Sequence, residues 1–289
     1  MAVATIEPPL DTRQLLRTIA WRDLVPMRPI DGVVECLHPL PWLLGSWLLA
    51  IIGYWPAAIP FSFMFFLTAL RLNHEAIHRS LGFRARGHRI VLHGLSALML
   101  GSNAAVAHNH LHHHARIGKP DDLEGKCGRM SGWKVLLFGP VFPVEMHLAA
   151  WRRGGPALRR RMRVDAALNI ALVGLALVTQ APLLAYHLAM MLAAQCLTAF
   201  FAVWITHHDC EEEGLIARTQ RSALINFLSY NMFYHLEHHL FPGVPVKRLG
   251  WLAARIDVAI PIVARRARHV VPLPKRAQIS PSCAFTSTL

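Results

Sequence analysis

The stretch LPWLLGSWLLAIIGYWPAAIPFSFMFFLTAL, residues 40–70, carries no charged side chain. A membrane-crossing helix needs about 20 consecutive apolar residues. Leu40–Leu70 is therefore long enough for two rather short crossings folded as a hairpin, interrupted by Pro56 and Pro60. A second stretch, Val164–His208, contains no Lys or Arg and is broken at Gln180-Ala181-Pro182. It reads the same way. The two hairpins predict an all-α integral membrane protein with about four transmembrane helices. The rival reading is a soluble helical protein with two buried hairpins, but core helices seldom go without charge over such lengths.

Composition agrees. The chain has 289 residues, 54% hydrophobic and 16% charged, with a mean hydropathy of +0.34. Soluble globular chains carry about 25% charged residues. The shortfall excludes a disordered or fibrous protein and argues against an ordinary soluble enzyme. The net charge is nonetheless +13, from 30 Lys+Arg against 17 Asp+Glu. Nucleic-acid binding would account for that charge, yet not for the apolarity or the 18 His, so no nucleic-acid partner is expected. All Lys and Arg lie outside the hairpins: four between Arg13 and Arg28, sixteen between Arg71 and Arg163, ten between Arg218 and Arg276. Two hairpins put these three segments, both termini included, on one face, and the positive-inside rule makes that face cytoplasmic.

The first 38 residues contain Glu7, Asp11, Asp23, Asp31 and Glu35 and no apolar run of the secretory kind. The five Cys form no C-x-x-C pair, which argues against a disulfide framework or a Cys-based zinc site. Ile90–Ala107 and Val135–Ala150 are shorter apolar runs and read as interfacial or re-entrant helices. Arg152-Arg153 and Arg159-Arg160-Arg161 are expected either beside anionic headgroups or on a solvated basic face.

The histidines are patterned. Residues i, i+3 and i+4 share a helix face. His74 and His78 form one such pair, His110, His113 and His114 a three-residue face, and His235, His238 and His239 another; His207-His208 ends the second hairpin. Neutral imidazole is a good ligand for iron, zinc, copper and nickel. All four groups lie just outside the apolar hairpins on the inferred cytoplasmic face, and they suffice for two metal ions. His108 and His112 fall off the face of their cluster, and His38, His88, His93, His147, His187 and His269 have no partner at ligand spacing.

Two other metal readings compete. His74-Glu75-Ala76-Ile77-His78 fits H-E-x-x-H, in which two His bind zinc and the Glu is the general base of a metalloprotease. That reading leaves two H-x-x-H-H groups unused, since a catalytic zinc takes three protein ligands. A carboxylate di-iron bundle needs paired E-x-x-H helices and two further inward Glu. Glu75-Ala76-Ile77-His78 and Glu35-Cys36-Leu37-His38 match formally, but few acidic residues lie within the apolar helices. A non-catalytic metal-binding membrane protein is the third alternative.

With these residues in place, the sequence resembles the membrane fatty acid desaturase family. His74-x-x-x-His78, His110-x-x-His113-His114 and His235-x-x-His238-His239 carry the resemblance. Gly118 and Asp121-Asp122 follow the second box as in the family. Asn231, Tyr234 and Leu240-Phe241-Pro242-Gly243-Val244-Pro245 frame the third as in its N-x-x-Y-H-x-E-H-H-L-F-P-x-V-P block. The resemblance covers roughly residues 40 to 250. It implies four transmembrane helices with a cytosolic helical cap carrying the boxes. It also implies two non-haem irons with O2 as co-substrate and hydrogen removal from an unactivated C–H bond of a lipid or acyl substrate. The eight box His would be ligands, with His207 or His208 as a further one. Asn231 would lie near a metal directly or through water, and Asp121, Asp122 and Glu237 would orient imidazole N–H groups.

The ligand boxes do not separate a desaturase from a hydroxylase, ketolase or acetylenase. There is no H-P-G-G haem segment and no ferredoxin-like Cys set, so electrons are expected from a separate ferredoxin or b-type cytochrome with its reductase. The chain thus divides into an N-terminal cytosolic segment (1–38), a membrane domain (39–250) and a basic C-terminal segment (251–289) whose part after Pro272 reads as a tail.

Overall fold

The computed structural model describes residues 17–210 and 215–272. The tail after Pro272 lies outside the described residues, as do residues 1–16. Among the described residues the chain forms fifteen α-helices. They are α1 (Pro29–Leu37), α2 (Leu40–Ile51), α3 (Trp55–Ile77), α4 (Ala85–Leu98), α5 (Asn103–Arg116), α6 (Leu123–Gly128), α7 (Gly132–Phe138), α8 (Phe142–Arg153), α9 (Pro156–Thr179), α10 (Pro182–Thr198), α11 (Ile205–His207), α12 (Ala223–Leu228), α13 (His235–Leu240), α14 (Leu249–Ala259) and α15 (Pro261–Arg266). A π-helical turn, Ala199–Trp204, joins α10 to α11. Proline opens α1, α2, α3, α8, α9, α10 and α15 within the first two positions, where its missing N–H has no intrahelical partner to lose. Pro56 therefore starts α3, and only Pro60 falls inside it.

Four helical stretches are long and apolar enough to cross a membrane: Pro29–Ile51, Trp55–Ile77, Pro156–Thr179 and Pro182–His207. Their outer faces expose Leu44, Leu48, Ile51, Ile170, Leu177 and Val178. Apolar surface of this extent is far more than a monomeric protein leaves to water, and these are the faces of an integral membrane protein. Inward, α2 and α10 both pack on α3. Leu43, Phe65, Phe66, Leu72 and Met191 are buried there with Leu95 and Met99. A hydroxyl triangle also ties the three helices together: Ser46 Oγ lies 2.6 Å from Ser62 Oγ and 3.0 Å from Tyr186 Oη, and Ser62 Oγ lies 2.8 Å from Tyr186 Oη. Such interhelical hydrogen bonds contribute about 0.6 kcal/mol each in a membrane.

Both shorter apolar runs are divided. Ile90–Ala107 falls on α4 and α5, which meet at 115°. The break is built by Leu100 in the left-handed region (φ 55°) and by Ser102, which caps α5 by accepting from Ala105 N. Asp165 of α9, fully buried, holds it in place: its carboxylate accepts from Ser102 Oγ at 2.7 Å and Ala104 N at 3.1 Å, and faces His93 Nδ1 at 2.5 Å. Val135–Ala150 is likewise two helices, α7 and α8. The polar end of the molecule has its own core. Leu236, Leu240 and Phe241 pack there with Leu249, Leu252, Ile256 and Val263 of α14 and α15, and with Ile19 and Leu24 from before α1.

Candidate metal centre

The first His box ends α3, where His74 lies in the last turn and His78 is the C-cap residue. α5 carries the second box, α11 carries His207, and α13 carries the third. One ring nitrogen from each of His74, His78, His110, His114 and His238 falls within 4.8 Å of the others. Nε2 of His74 is 2.9 Å from that of His238, which is 3.0 Å from that of His114; Nε2 of His110 is 3.1 Å from that of His78 and 3.2 Å from that of His114. A second group joins His113, His207 and His239. His235 Nε2 completes it, 3.0 Å from His207 Nε2 and 3.1 Å from His239 Nε2. The rings of His114 and His239 stack at 4.3 Å, so the two groups stand side by side.

Each H-x-x-H-H box therefore feeds both groups rather than presenting one shared face. At about 100° per residue, i and i+4 stay together while i+3 turns away. His110 and His114 face the first group and His113 the second; His235 and His239 face the second and His238 the first.

The proton positions explain why a cation fits. His110 Nδ1 lies 3.0 Å from Glu124 Oε2, and His113 Nδ1 lies 2.8 Å from Asp122 Oδ2. An ionised carboxylate accepts only, so both Nδ1 atoms carry the proton. His207 Nδ1 donates to the carbonyl of Ile216 at 2.9 Å. Each of these rings therefore presents a bare lone pair at Nε2. His113 Nε2 is buried with no hydrogen-bond partner among the described residues, and the Nε2 atoms of His110 and His207 meet other imidazole nitrogens at 3.0 to 3.2 Å. Converging lone pairs repel unless a cation sits among them, which is the donor set of a His-ligated metal. Burial would raise Glu124, but the imidazoles beside it, His110 first, hold it below its ordinary value. Burial, followed by the facing His110, pushes His78 down to about 3. Burial and neighbouring imidazoles push His235, His238 and His239 well below the ordinary histidine value. All four stay neutral, as ligands must.

The other expected residues have these partners. Asp122 does accept an imidazole N–H, and its second oxygen caps α6 at Gly125 N. Asp121 instead pairs with the off-face His112 and with Arg116 on the surface. Glu237 sits inside the third box but points away from its histidines. It accepts from Thr219 Oγ1 at 2.6 Å and Arg221 Nη2 at 2.7 Å, and Arg221 also clasps Asp257 through two hydrogen bonds. Asn231 is in the left-handed region (φ 64°), its amide bonded to the Asn226 carbonyl. His208 donates from Nδ1 to the Trp204 carbonyl and stacks on the Trp204 ring at 3.9 Å. Glu124, which no spacing rule singles out, supplies the carboxylate at His110.

The competing motifs dissolve in the same way. Glu75 of H-E-x-x-H is buried and accepts from Val246 N, binding the first box to the loop after the third. Glu35 and His38 pair with one another, and Glu35 with the buried Arg71. No disulfide joins the four described cysteines. His88, His93, His147 and His187 each spend a ring nitrogen on hydrogen bonds within the bundle. Two cavities touch the clusters. An apolar slot of about 90 Å³ is lined by His74 and His110 of the first group, His207 and His235 of the second, and Met99 and Val203. A wider, more polar cleft of about 520 Å³ ends on His113 and His207.

Membrane-length helices that end in two interleaved histidine clusters define a class of membrane-bound enzyme. The sequence model of the fatty acid desaturase family matches residues 37–265, and the chain belongs to that family. It is accordingly an O2-dependent oxidoreductase of a family known for di-iron chemistry on lipids. No curated protein and no solved structure matches it.

Proposed function

We propose that the chain is a membrane-bound non-haem di-iron oxidase that desaturates the acyl chain of a fatty acid or lipid, using O2 and two electrons from a separate donor. In this reading one iron rests on His74, His78, His110, His114 and His238, and the other on His113, His207, His235 and His239. His207 is taken over His208 because its Nε2 lies among the other lone pairs while the His208 ring is spent on Trp204. The observation that carries the reading is the convergence of Nε2 lone pairs whose tautomers are fixed from outside by Glu124, Asp122 and the Ile216 carbonyl. The irons, when bound, supply the O2 chemistry that removes hydrogen from an unactivated C–H bond. The protein's own part is to hold the Nδ1 protons in place, to exclude water by burial, and to seat an apolar chain in the slot that borders both clusters.

The distribution of Lys and Arg supports a cytoplasmic placement of the clusters and both termini. It also suits docking of an acidic ferredoxin or b-type cytochrome as electron donor. Metal analysis of the detergent-purified protein tests the reading. About two irons per chain are expected, falling sharply in the His238→Ala/His239→Ala variant, which removes one ligand from each cluster. About one zinc per chain, unchanged in that variant, would overturn it.

A further inference from the structure

An open groove of about 710 Å³ adjoins the slot between α8, α9 and α10. Pro143, His147 and Gln195 line both the groove and the slot, so they form the wall between the two. α9 and α10 belong to membrane-length stretches that are only 11% and 22% buried, and their exposed Ala166 and Leu192 line the groove. Val144 and Leu148 of α8 stand exposed beside it. At its end the guanidinium groups of Arg159 and Arg163 lie 5.6 and 5.5 Å from the centre of the Trp151 ring, and Trp151 and Arg163 both line the groove. Tryptophan and arginine together mark headgroup depth in a bilayer, and the guanidinium fork matches a phosphate.

We propose that this groove is a lateral portal through which the acyl chain of an anionic phospholipid passes from the bilayer into the histidine slot, its phosphate held at Arg163. The inference rests on the proposed di-iron oxidation for the reaction in the slot, and it deepens that reading by naming the carrier as a membrane lipid rather than a soluble thioester. The wall has a rigid side and a yielding side. His147 is fixed through both nitrogens: Nδ1 donates to the Pro143 carbonyl and Nε2 accepts from Ser102 N. Among the described residues Gln195 holds its place by one side-chain hydrogen bond, to the Met99 carbonyl at 2.9 Å. It lies against Gly101, where an added Cβ would come within 3.0 Å of its amide nitrogen. The passage therefore opens on the Gln195 side. A soluble thioester would instead arrive by the polar cleft that ends on His113 and His207, which shares neither Gln195 nor His147 with the slot.

The test is photo-crosslinking of the full-length protein in phosphatidylcholine vesicles containing phosphatidylglycerol with a diazirine at mid-chain, read by peptide mass spectrometry. Label is expected on the peptides holding Pro143–His147 and Gln195–Val203. Ala166→Trp, which fills the groove from the exposed face of α9, should lower it several-fold, and so should Leu192→Trp on the opposite wall. Arg163→Gln should lower labelling by the same probe. The portal is overturned if both groove-filling variants label like the parent, or if palmitoyl-coenzyme A with the same diazirine labels these peptides in preference to the lipid. Undiminished labelling of Arg163→Gln overturns the phosphate site. Crosslinking needs no turnover, and iron content is measured on every sample. Failure of the portal with iron intact is thus distinct from failure of the di-iron reading, which would show as missing iron in the parent.

Discussion

The two histidine clusters are built from the same side chain but held by different means. The second cluster is pinned from outside: Asp122 fixes His113, the Ile216 carbonyl fixes His207, and the polar cleft reaches both. The first has one such carboxylate, Glu124 on His110, while His74 Nδ1 and His238 Nδ1 are buried with no hydrogen-bond partner among the described residues. Those two rings are oriented by packing and by their Nε2 contacts, at 2.9 and 3.0 Å, with no partner behind them. A site can thus be preorganised either by hydrogen bonds that set a tautomer or by close-packed walls that leave a ring one place to be.

Substitutions can set the two modes against each other. The largest effect is expected at Arg221→Ala, which strips the buried Glu237 of its cation inside the helix that serves both clusters. Breaking such a pair costs about 3 kcal/mol. A thermal melt in detergent should show a marked fall in Tm, with both metals lost together. Loss of one metal alone would mean that α13 does not act as a unit.

Asp122→Ala should be more selective. Removing an outer partner of a ligating His lowers metal affinity by about 10–100-fold, and the lost carboxylate touches a histidine of the second cluster directly and reaches the first only through the cap of α6, which carries Glu124. Competition with a chelator should remove one iron and spare the other, while Asp122→Asn, which keeps an acceptor, should behave nearly as the parent. If Asp122→Ala empties the first cluster instead, the distinction between the two modes fails.

Acid should destabilise both clusters, with one histidine of the second opposing the trend. In the metal-free protein His78 titrates at about 3, against 6.5 for the unfolded chain, because burial disfavours its charged form. Between those values the unfolded chain holds a proton that the folded chain refuses. Stability from this group therefore declines as pH falls below 6.5, by up to about 1.4 kcal/mol per pH unit, and is flat above it. His238 in the first cluster and His235 and His239 in the second act in the same direction, whereas His113 in the second opposes them: burial lowers it, but the hydrogen bond to Asp122 and the nearby carboxylates hold it above its ordinary value. Denaturation followed from pH 7 to 5 should show one common transition. Two separate transitions would sharpen the contrast beyond what the geometry shows.

The smallest effect is expected at Ser222→Ala. It removes the cap of α12, which accepts from Ile225 N, and should cost about 1 kcal/mol while leaving the metal content of both clusters unchanged.

Much of this architecture is legible in the amino-acid order. The absence of Lys and Arg from Leu40–Leu70 and Val164–His208 marks the membrane-length helices, because uncompensated charge is costly in hydrocarbon. The boxes are legible because a ligand set at i, i+3 and i+4 is local to one helix. What escapes is tertiary. Glu124 reaches His110 only because α6 folds back on α5, and no periodicity links the two. Glu237 looks like an imidazole partner by adjacency, yet a residue between His235 and His238 points off their side of the helix, where Thr219 and Arg221 wait. Asp121 and Asp122 are neighbours of equal sequence promise, and only the second faces the interior. The 115° break between α4 and α5 depends on Asp165, more than 60 residues downstream of the serine it holds.

The π-helical turn Ala199–Trp204 has a consequence for how the chain tolerates lost residues. Such a turn holds one more residue than an α-helix would over the same rise, and it lies just ahead of His207. Deleting one residue inside it lets the turn tighten to ordinary pitch, and the downstream helix keeps its bearing. Deleting one residue from Pro182–Thr198 instead draws everything downstream back by about 1.5 Å and swings it by about 100°, carrying the imidazole off its target. Over evolutionary time the segment is thus a length buffer: gaps can collect at 199–204 while the neighbouring helix must keep its count.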